Sequence, residues 1–250
     1  MSPRLTGKVA IVTGSSKGIG ASIAKHLAAE GASVIVNYAS SKEGADKVVA
    51  EITQAGGKAH AVKANVARRA EVTHLVAEAV QKFGLIDVLV NNAGVFEFKP
   101  LGEITEEHFH KHYDLNVLGL LLTTQEAVKH FNPAGGSIVN ISSIVSTDAP
   151  PGLAVYAGTK GAVDVLTKVL TKELGGRKIR VNTVNPSLTE TEGTHSCGLM
   201  TDEIQKAVAS QTPLGRMGQP EDIARAVVFF AASDSLFISG QHLIVSGGQR

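Results

Sequence analysis

No tryptophan and a single cysteine occur among the 250 residues, and aromatic side chains make up only 4% of them. With Cys197 alone, no intrachain disulfide can form, which fits a reducing compartment, and the cytoplasm is the expected location. Charge of one sign is equally scarce: 24 basic against 23 acidic residues leave a formal net charge of +1. Nucleic-acid and anionic-membrane binders carry a basic footprint. None is present, so neither partner is expected. The longest apolar run, Ala226 to Ala232, falls far short of the roughly 20 residues that cross a bilayer. Nor does an apolar stretch of the secretory type follow Met1.

What is present is 43% hydrophobic residues and 26 glycines. Apolar content of that order excludes disorder, and the glycines follow no collagen-like period. The length suits one α/β domain spanning 1–250, large enough to bury most of its apolar surface. Short β-branched runs at Val9–Val12, Val34–Val36, Ala59–Val62, Ile86–Val90, Ile138–Ile141, Ile179–Val184 and Leu243–Val245 read as strands. Between them, 19–30, 42–55, 69–83, 105–130, 155–174 and 220–231 have helical period. Continuously apolar strands suit a sheet covered on both faces. Strand–helix–strand units cross over right-handed, so the economical arrangement is one parallel sheet between two helix layers. Pro186 to Met200 reads as the one long irregular loop, a place where function concentrates.

The first strand runs into Thr13-Gly14-Ser15-Ser16-Lys17-Gly18-Ile19-Gly20 and then a helix. Such a turn needs residues that tolerate positive φ, and the helix behind it offers its positive end to an anion. In that context the glycines point to a dinucleotide. An NAD enzyme usually places an acid about 20 residues on, at the ribose 2′-hydroxyl. Here the second strand ends Val36-Asn37-Tyr38-Ala39-Ser40-Ser41-Lys42, with no acid before Glu43. Lys17, with Ser40, Ser41 and Lys42, would instead suit a 2′-phosphate, so NADP(H) is expected.

Tyr156 and Lys160 share one face of a helix, four residues apart. Ser143 ends a strand, on the side of a parallel sheet where ligands bind, although Ser142 adjoins it. Asn116 is a polar residue amid apolar neighbours. Together with Asn91-Asn92-Ala93-Gly94 and Asn185-Pro186, these motifs occur in the order that resembles the short-chain dehydrogenase/reductase family, over essentially the whole chain.

That resemblance implies a single Rossmann-type domain, doubly wound around a seven-stranded parallel sheet. It also implies a catalytic tetrad of Asn116, Ser143, Tyr156 and Lys160. Tyr156 would act as acid in reduction and base in oxidation, its pKa drawn toward neutrality by the Lys160 ammonium and the oxidised nicotinamide. Lys160 would also hold the nicotinamide ribose, Ser143 would donate to the substrate oxygen, and Asn116 would bind a water linking Lys160 to solvent. Cofactor contacts are expected from Gly14, Ser16, Lys17, Gly18, Ile19 and Gly20; from Asn37, Tyr38, Ala39, Ser40 and Ser41; from Asn65, Val66, Asn92, Ala93 and Gly94; and from Tyr156, Lys160, Pro186, Ser187, Thr189 and Thr191.

Three positions depart from the family pattern: Asn65 where an Asp is usual, Ser187 after Pro186, and Ser246 before Gly247-Gly248. His108, His110 and His112 read as surface histidines, because i,i+2 side chains on a helix diverge, and no metal site is expected. Around the carbonyl, Val95, Phe96, Ile144, Val145, Leu153, Leu188, Leu199 and Met200 would form an apolar lining, with His195, Thr189, Thr191 and Thr194 as polar additions. Such a lining favours reduction of a ketone with apolar substituents. The alternatives are 3-oxoacyl-carrier-protein reduction, glucose oxidation, and a non-catalytic NADP(H)-binding regulator. Small residues at Ala157, Gly158, Gly161 and Ala162 permit close helix packing, and the resemblance implies a homotetramer.

Overall fold

Apolar residues alternate between the two faces of every central strand, and that alternation builds the architecture. The computed structural model describes residues 3–249. The strands are β1 (Val9–Val12), β2 (Ser33–Tyr38), β3 (Lys58–Lys63), β4 (Val88–Asn91), β5 (Gly136–Ile141), β6 (Ile179–Pro186) and β7 (His242–Val245). They form one seven-stranded sheet in the order β3-β2-β1-β4-β5-β6-β7, and every pairing is parallel. Ala10, Val12, Val34, Val36, Val88 and Val90 pack against α1 (Gly18–Ala29), α2 (Lys42–Gln54) and α10 (Pro220–Ala231). Ile11, Ile35 and Leu89, one residue out of phase, pack on the opposite face against α3 (Arg69–Phe83) and α5 (Gly119–Ala127). Both faces are therefore covered, as the continuously apolar strands require.

A buried polar chain fixes the long helix α7 (Ala154–Leu174), which follows the one-turn α6 (Val145–Asp148), against the sheet. Asn91 donates to Asn140 Oδ1 at 2.9 Å and to Thr124 Oγ1 at 3.1 Å, and Asn140 donates to Thr167 Oγ1 on α7 at 2.8 Å. Hydrogen bonds in such an interior are costly to leave unmade, so α7 is held in one position along the strands.

Two segments differ from the sequence reading. The stretch 105–130 is not one helix: α4 (Glu106–Tyr113) passes into a π turn (Asp114–Leu118) before α5, and Val128–His130 ends it as a 3₁₀ turn. Asn116 lies in the π turn, drawn toward partners outside the helix, and single π turns often mark functional positions. The segment 186–200 is likewise not wholly irregular. Thr191 and Thr194 form a reciprocal capping box that starts the short helix α8 (Glu192–Ser196). Farther on, α9 (Asp202–Gln211) starts at Thr201, whose hydroxyl accepts from Ile204 N–H. Among the described residues no helix is long and apolar enough to cross a membrane.

Candidate active site

Sheet order reverses between β1 and β4, since β2 and β3 lie to one side of β1 and the later strands to the other. Ligands of open α/β sheets bind outside the carboxyl ends at such a point. The glycine loop leaves β1 there and Asn92-Ala93-Gly94 leaves β4 beside it. Gly14 has φ +60°, and a Cβ on it would stand 2.8 Å from Ala93 Cα. At Gly20 a Cβ would lie 2.4 Å from Asn92 Nδ2 and 2.5 Å from the Gly14 carbonyl oxygen. Only hydrogen fits at either place. Asn92 braces the turn by donating to the carbonyls of Thr13 and Gly14, each at 2.9 Å.

A cleft of about 370 Å³ follows this loop, lined by Ser16, Lys17, Gly18, Ile19, Tyr38, Ala39, Ser40, Ser41, Asn65, Val66, Ala93 and Thr191 among others. Asn37 supports it from behind: its Oδ1 accepts from Gly14 N–H at 3.0 Å, and its Nδ2 donates to the carbonyls of Val62 and Ala64 at 3.3 and 3.0 Å. Asn65 Oδ1 accepts from Ala67 N–H at 3.0 Å. Lys42 turns away to Asp46 at 2.5 Å and is absent from the cleft lining, which leaves Lys17 as the cation beside Ser40 and Ser41. At the start of α1 a carboxylate already occupies the anion position, with Glu192 Oε2 accepting from Gly18 N–H at 2.9 Å. The donor set and the helix end thus suit a phosphate oxygen.

A second cleft, also about 370 Å³, shares Ile19, Asn92, Gly94 and Thr191 with the first. Ser143, Tyr156, Lys160, Pro186, Ser187 and Thr189 line it, with Val95, Phe96, Ile144, Val145, Leu153, Leu188, Thr194 and Leu199. Met200 and His195, expected here, are not in the lining; His195 instead pairs with Glu190 at 3.1 Å. Phe98, Val208 and Gln249 line the cleft without having been anticipated. Gln249 arrives through the last turn of the chain, where Ser246 Oγ donates to the Gln249 carbonyl at 2.7 Å. That bond gives the departure at Ser246 a local structural task.

Tyr156 and Lys160 lie on one face of α7, with the Lys160 ammonium 5.5 Å from the Tyr156 ring centroid. Burial pushes the Tyr156 phenol up to about 12, against a smaller opposing effect of the Ser143 hydroxyl. Lys160 is directed at the Ile141 carbonyl, 2.8 Å away, and desolvation governs the phenol. Desolvation also draws Lys160 down to about 8, opposed by the Asp164 carboxylate. Ser142 donates to the Lys160 carbonyl at 3.2 Å, whereas Ser143 stands beside Tyr156.

Asn116 uses its whole side chain on protein partners. Its Oδ1 accepts from Val95 N–H, and its Nδ2 donates to the Val95 carbonyl and to Thr159 Oγ1, at 2.9, 2.9 and 3.1 Å. Its amide therefore pins the cleft wall. Between Asn116 and Lys160 lies a small cavity of about 10 Å³, with Thr13, Asn91 and Thr123 also in its walls. Room of that order holds about one water, and the lining supplies polar partners for it.

The histidines differ from their surface reading. His108 and His112 are buried and only His110 is exposed. Residues four apart share a helix face, and α4 turns that face toward the segment following Gly94.

A family model described as enoyl-(acyl carrier protein) reductase matches residues 14–250. An uncharacterized oxidoreductase of Methylorubrum extorquens is 56% identical over 247 residues, 99% of each chain. A hydroxynaphthalene reductase-like protein of Metarhizium majus is 40% identical, covering 98% of this chain and 95% of that one. Among solved structures, a short-chain dehydrogenase from Burkholderia cenocepacia in complex with NADP superposes with a TM-score of 0.92 at 36% identity, covering 98% of both chains. With this sheet order, glycine loop and full-length likeness, the chain belongs to the short-chain dehydrogenase/reductase family and is an oxidoreductase acting on CH–OH or C=O groups.

Proposed function

We propose that the protein is an NADP(H)-dependent carbonyl reductase that converts a ketone with apolar substituents to a secondary alcohol, reversibly. The observation that carries this reading is the juxtaposition of Tyr156, Ser143 and Lys160 in an apolar cleft that opens onto the glycine-loop cleft. NADP(H) fits the residues there: Lys17, Ser40 and Ser41 would hold a 2′-phosphate, and the amide end of α1 a diphosphate. When bound, the nicotinamide supplies the hydride in reduction and accepts it in oxidation.

The protein's own task is to orient the carbonyl and to move one proton. Ser143 would donate to the substrate oxygen and stabilise the charge developing there. Tyr156, a protonated phenol with a pKa of about 12, would give its proton to that oxygen in reduction and take it back in oxidation. Lys160, still an ammonium below about pH 8, would hold ribose hydroxyls and support the phenolate left behind. The cavity between Lys160 and Asn116 would hold a water through which the proton is replaced.

The segment 186–200 serves in this reading as the substrate loop. From 186 to 211 the chain carries Glu190, Glu192, Asp202 and Glu203 against Lys206 alone, which favours a small ketone over delivery by a partner of acidic surface. The apolar lining likewise favours a ketone over a sugar. A homotetramer in the cytoplasm completes the proposal. Phe109, Leu118, Val165 and Val169 are exposed, as are Leu214, Leu236, Phe237 and Leu243, and apolar side chains left in water suit contacts between subunits. Among the described residues Gly161 has nothing within 4 Å of its Cβ position, whereas Gly158 is already accounted for by Tyr113 Oη at 2.9 Å.

The experiment is an NADPH-oxidation screen across ketones, 3-oxoacyl thioesters and sugars. Apolar ketones are expected to turn over fastest, and Tyr156→Phe is expected to lose at least about 10³-fold in kcat while still binding NADPH. Near-normal turnover in Tyr156→Phe refutes the acid–base assignment. No activity on any ketone refutes the substrate class.

A further inference from the structure

One cluster of ligand-type side chains lies outside both clefts and has no task in the reaction. α4 places His108 and His112 on one face, and the segment after Gly94 brings Glu97 against them. One ligand atom from each of the three lies within 4.8 Å of the others. His108 is 5% exposed and His112 0%, and their rings meet edge-on with centroids 4.4 Å apart.

Buried imidazoles ordinarily find partners for their nitrogens. Here His112 Nδ1 stands 2.8 Å from the His108 carbonyl. A carbonyl can only accept, so Nδ1 carries the proton and Nε2 presents a lone pair. Among the described residues that Nε2 has no hydrogen-bond partner, and neither ring nitrogen of His108 has one. An N–H directed at a backbone carbonyl is the bond that orients a metal-binding imidazole and fixes its tautomer.

Glu97 supplies the negative charge. Lys111 pairs with its Oε1, while Oε2 lies 3.8 Å from His108 Nε2. That distance is too long for a hydrogen bond. It is close to the roughly 3.4 Å between two ligands on a tetrahedral ion with bonds of about 2.0–2.1 Å.

We propose that Glu97, His108 and His112 form a binding site for a divalent transition-metal ion of the zinc class, with solvent completing its coordination. Two imidazoles and one carboxylate select zinc, cobalt, nickel or copper over magnesium and calcium, which take oxygen ligands. The Lys111 ammonium and the nearby Lys99 oppose an added cation, so the site is weaker than a closed four-ligand centre. Its consequence is mechanical. Glu97 follows Phe96, whose ring stands 5.9 Å from that of Tyr156, so a bound ion ties the wall of the substrate cleft to α4.

The test uses untagged, chelator-treated full-length protein titrated with Zn²⁺ by calorimetry, and with Co²⁺ by visible absorption. The expected result is one saturable ion per chain, a tetrahedral-type Co²⁺ spectrum, and a Tm rise of about 5 °C or more at 100-fold excess over Kd. His108→Gln, His112→Gln and Glu97→Gln are each expected to weaken binding at least about 10-fold. His110→Gln and His195→Gln, at exposed positions, are expected to leave it unchanged. Should either buried-histidine variant fail to fold, Glu97→Gln, at a half-buried position, gives the same readout. The proposal is overturned by the lack of saturable binding to the parent protein, or by binding that survives in Glu97→Gln or in a folded histidine variant.

Discussion

Replacing Glu192 with glutamine is expected to tighten NADP(H) binding. The Glu192 carboxylate accepts from Gly18 N–H at 2.9 Å, at the end of α1 where a diphosphate oxygen would sit, so binding has to break this contact first. A hydrogen bond to a charged group contributes about 1.5–3 kcal/mol, and the helix end adds about 0.3–1 kcal/mol. The contact is exposed, and solvent and salt reduce its net worth to about 1–2 kcal/mol. Glutamine keeps the shape and an accepting oxygen but loses the charge, and with it roughly half of that strength. It also removes a carboxylate that repels the incoming phosphates. The lost half is about 0.5–1 kcal/mol, or a Kd for NADPH lower by roughly 2–5-fold, and the relieved repulsion adds to it. Calorimetric titration at two ionic strengths measures it, and the gain should shrink at high salt. Equal or weaker binding in a Glu192→Gln variant that folds normally refutes the idea that this carboxylate competes with the cofactor.

Two further outcomes follow from the same geometry. Desolvation draws Lys160 down to about 8 and pushes Tyr156 up to about 12, so of these two groups the lysine loses its proton first as the pH rises. Rates of reduction expressed as kcat/KM are therefore expected to hold below about pH 8 and to fall as pH rises through it. A decline that begins only near pH 10 or above would show that Lys160 is not the group in control. Gly20→Ala is expected to destabilise the protein by about 2–4 kcal/mol, because its Cβ would meet Asn92 Nδ2 at 2.4 Å. Thermal melts with and without NADPH check this, and the shift on adding cofactor should also be largely lost.

Strand positions, the glycine loop and the Ser143, Tyr156, Lys160 grouping were all legible as linear patterns, because each depends on period, turn chemistry or short spacing. What escaped the sequence depends on contacts between distant segments. The break between α4 and α5 is one case: Leu115-Asn116-Val117 carries no helix breaker, and the π turn exists because Val95 and Thr159 claim the Asn116 amide. The histidines are another. Reading His108, His110 and His112 as neighbours two apart hid the i,i+4 pair, and nothing in the sequence brings Glu97 to it. A helix spacing of four does not say where the Lys160 ammonium points, and it points at the Ile141 carbonyl. Gln249 enters the cleft through a turn held by Ser246 Oγ, and no spacing rule announces it.

The Asn37 bracket couples coenzyme choice to loop rigidity. In redesigning the protein toward NAD, the obvious step is an acid at the end of β2 for the ribose hydroxyls. At position 37 that step would aim a carboxylate at the carbonyls of Val62 and Ala64, which now accept the Asn37 amide protons. A carboxylate would still accept from Gly14 N–H, but the loop would lose the tie that Asn37 carries on to β3, so a coenzyme switch tolerated by the fold has to be written at residues 38–41 instead. Selectivity here is adjustable at the rim of the cleft and locked at its floor.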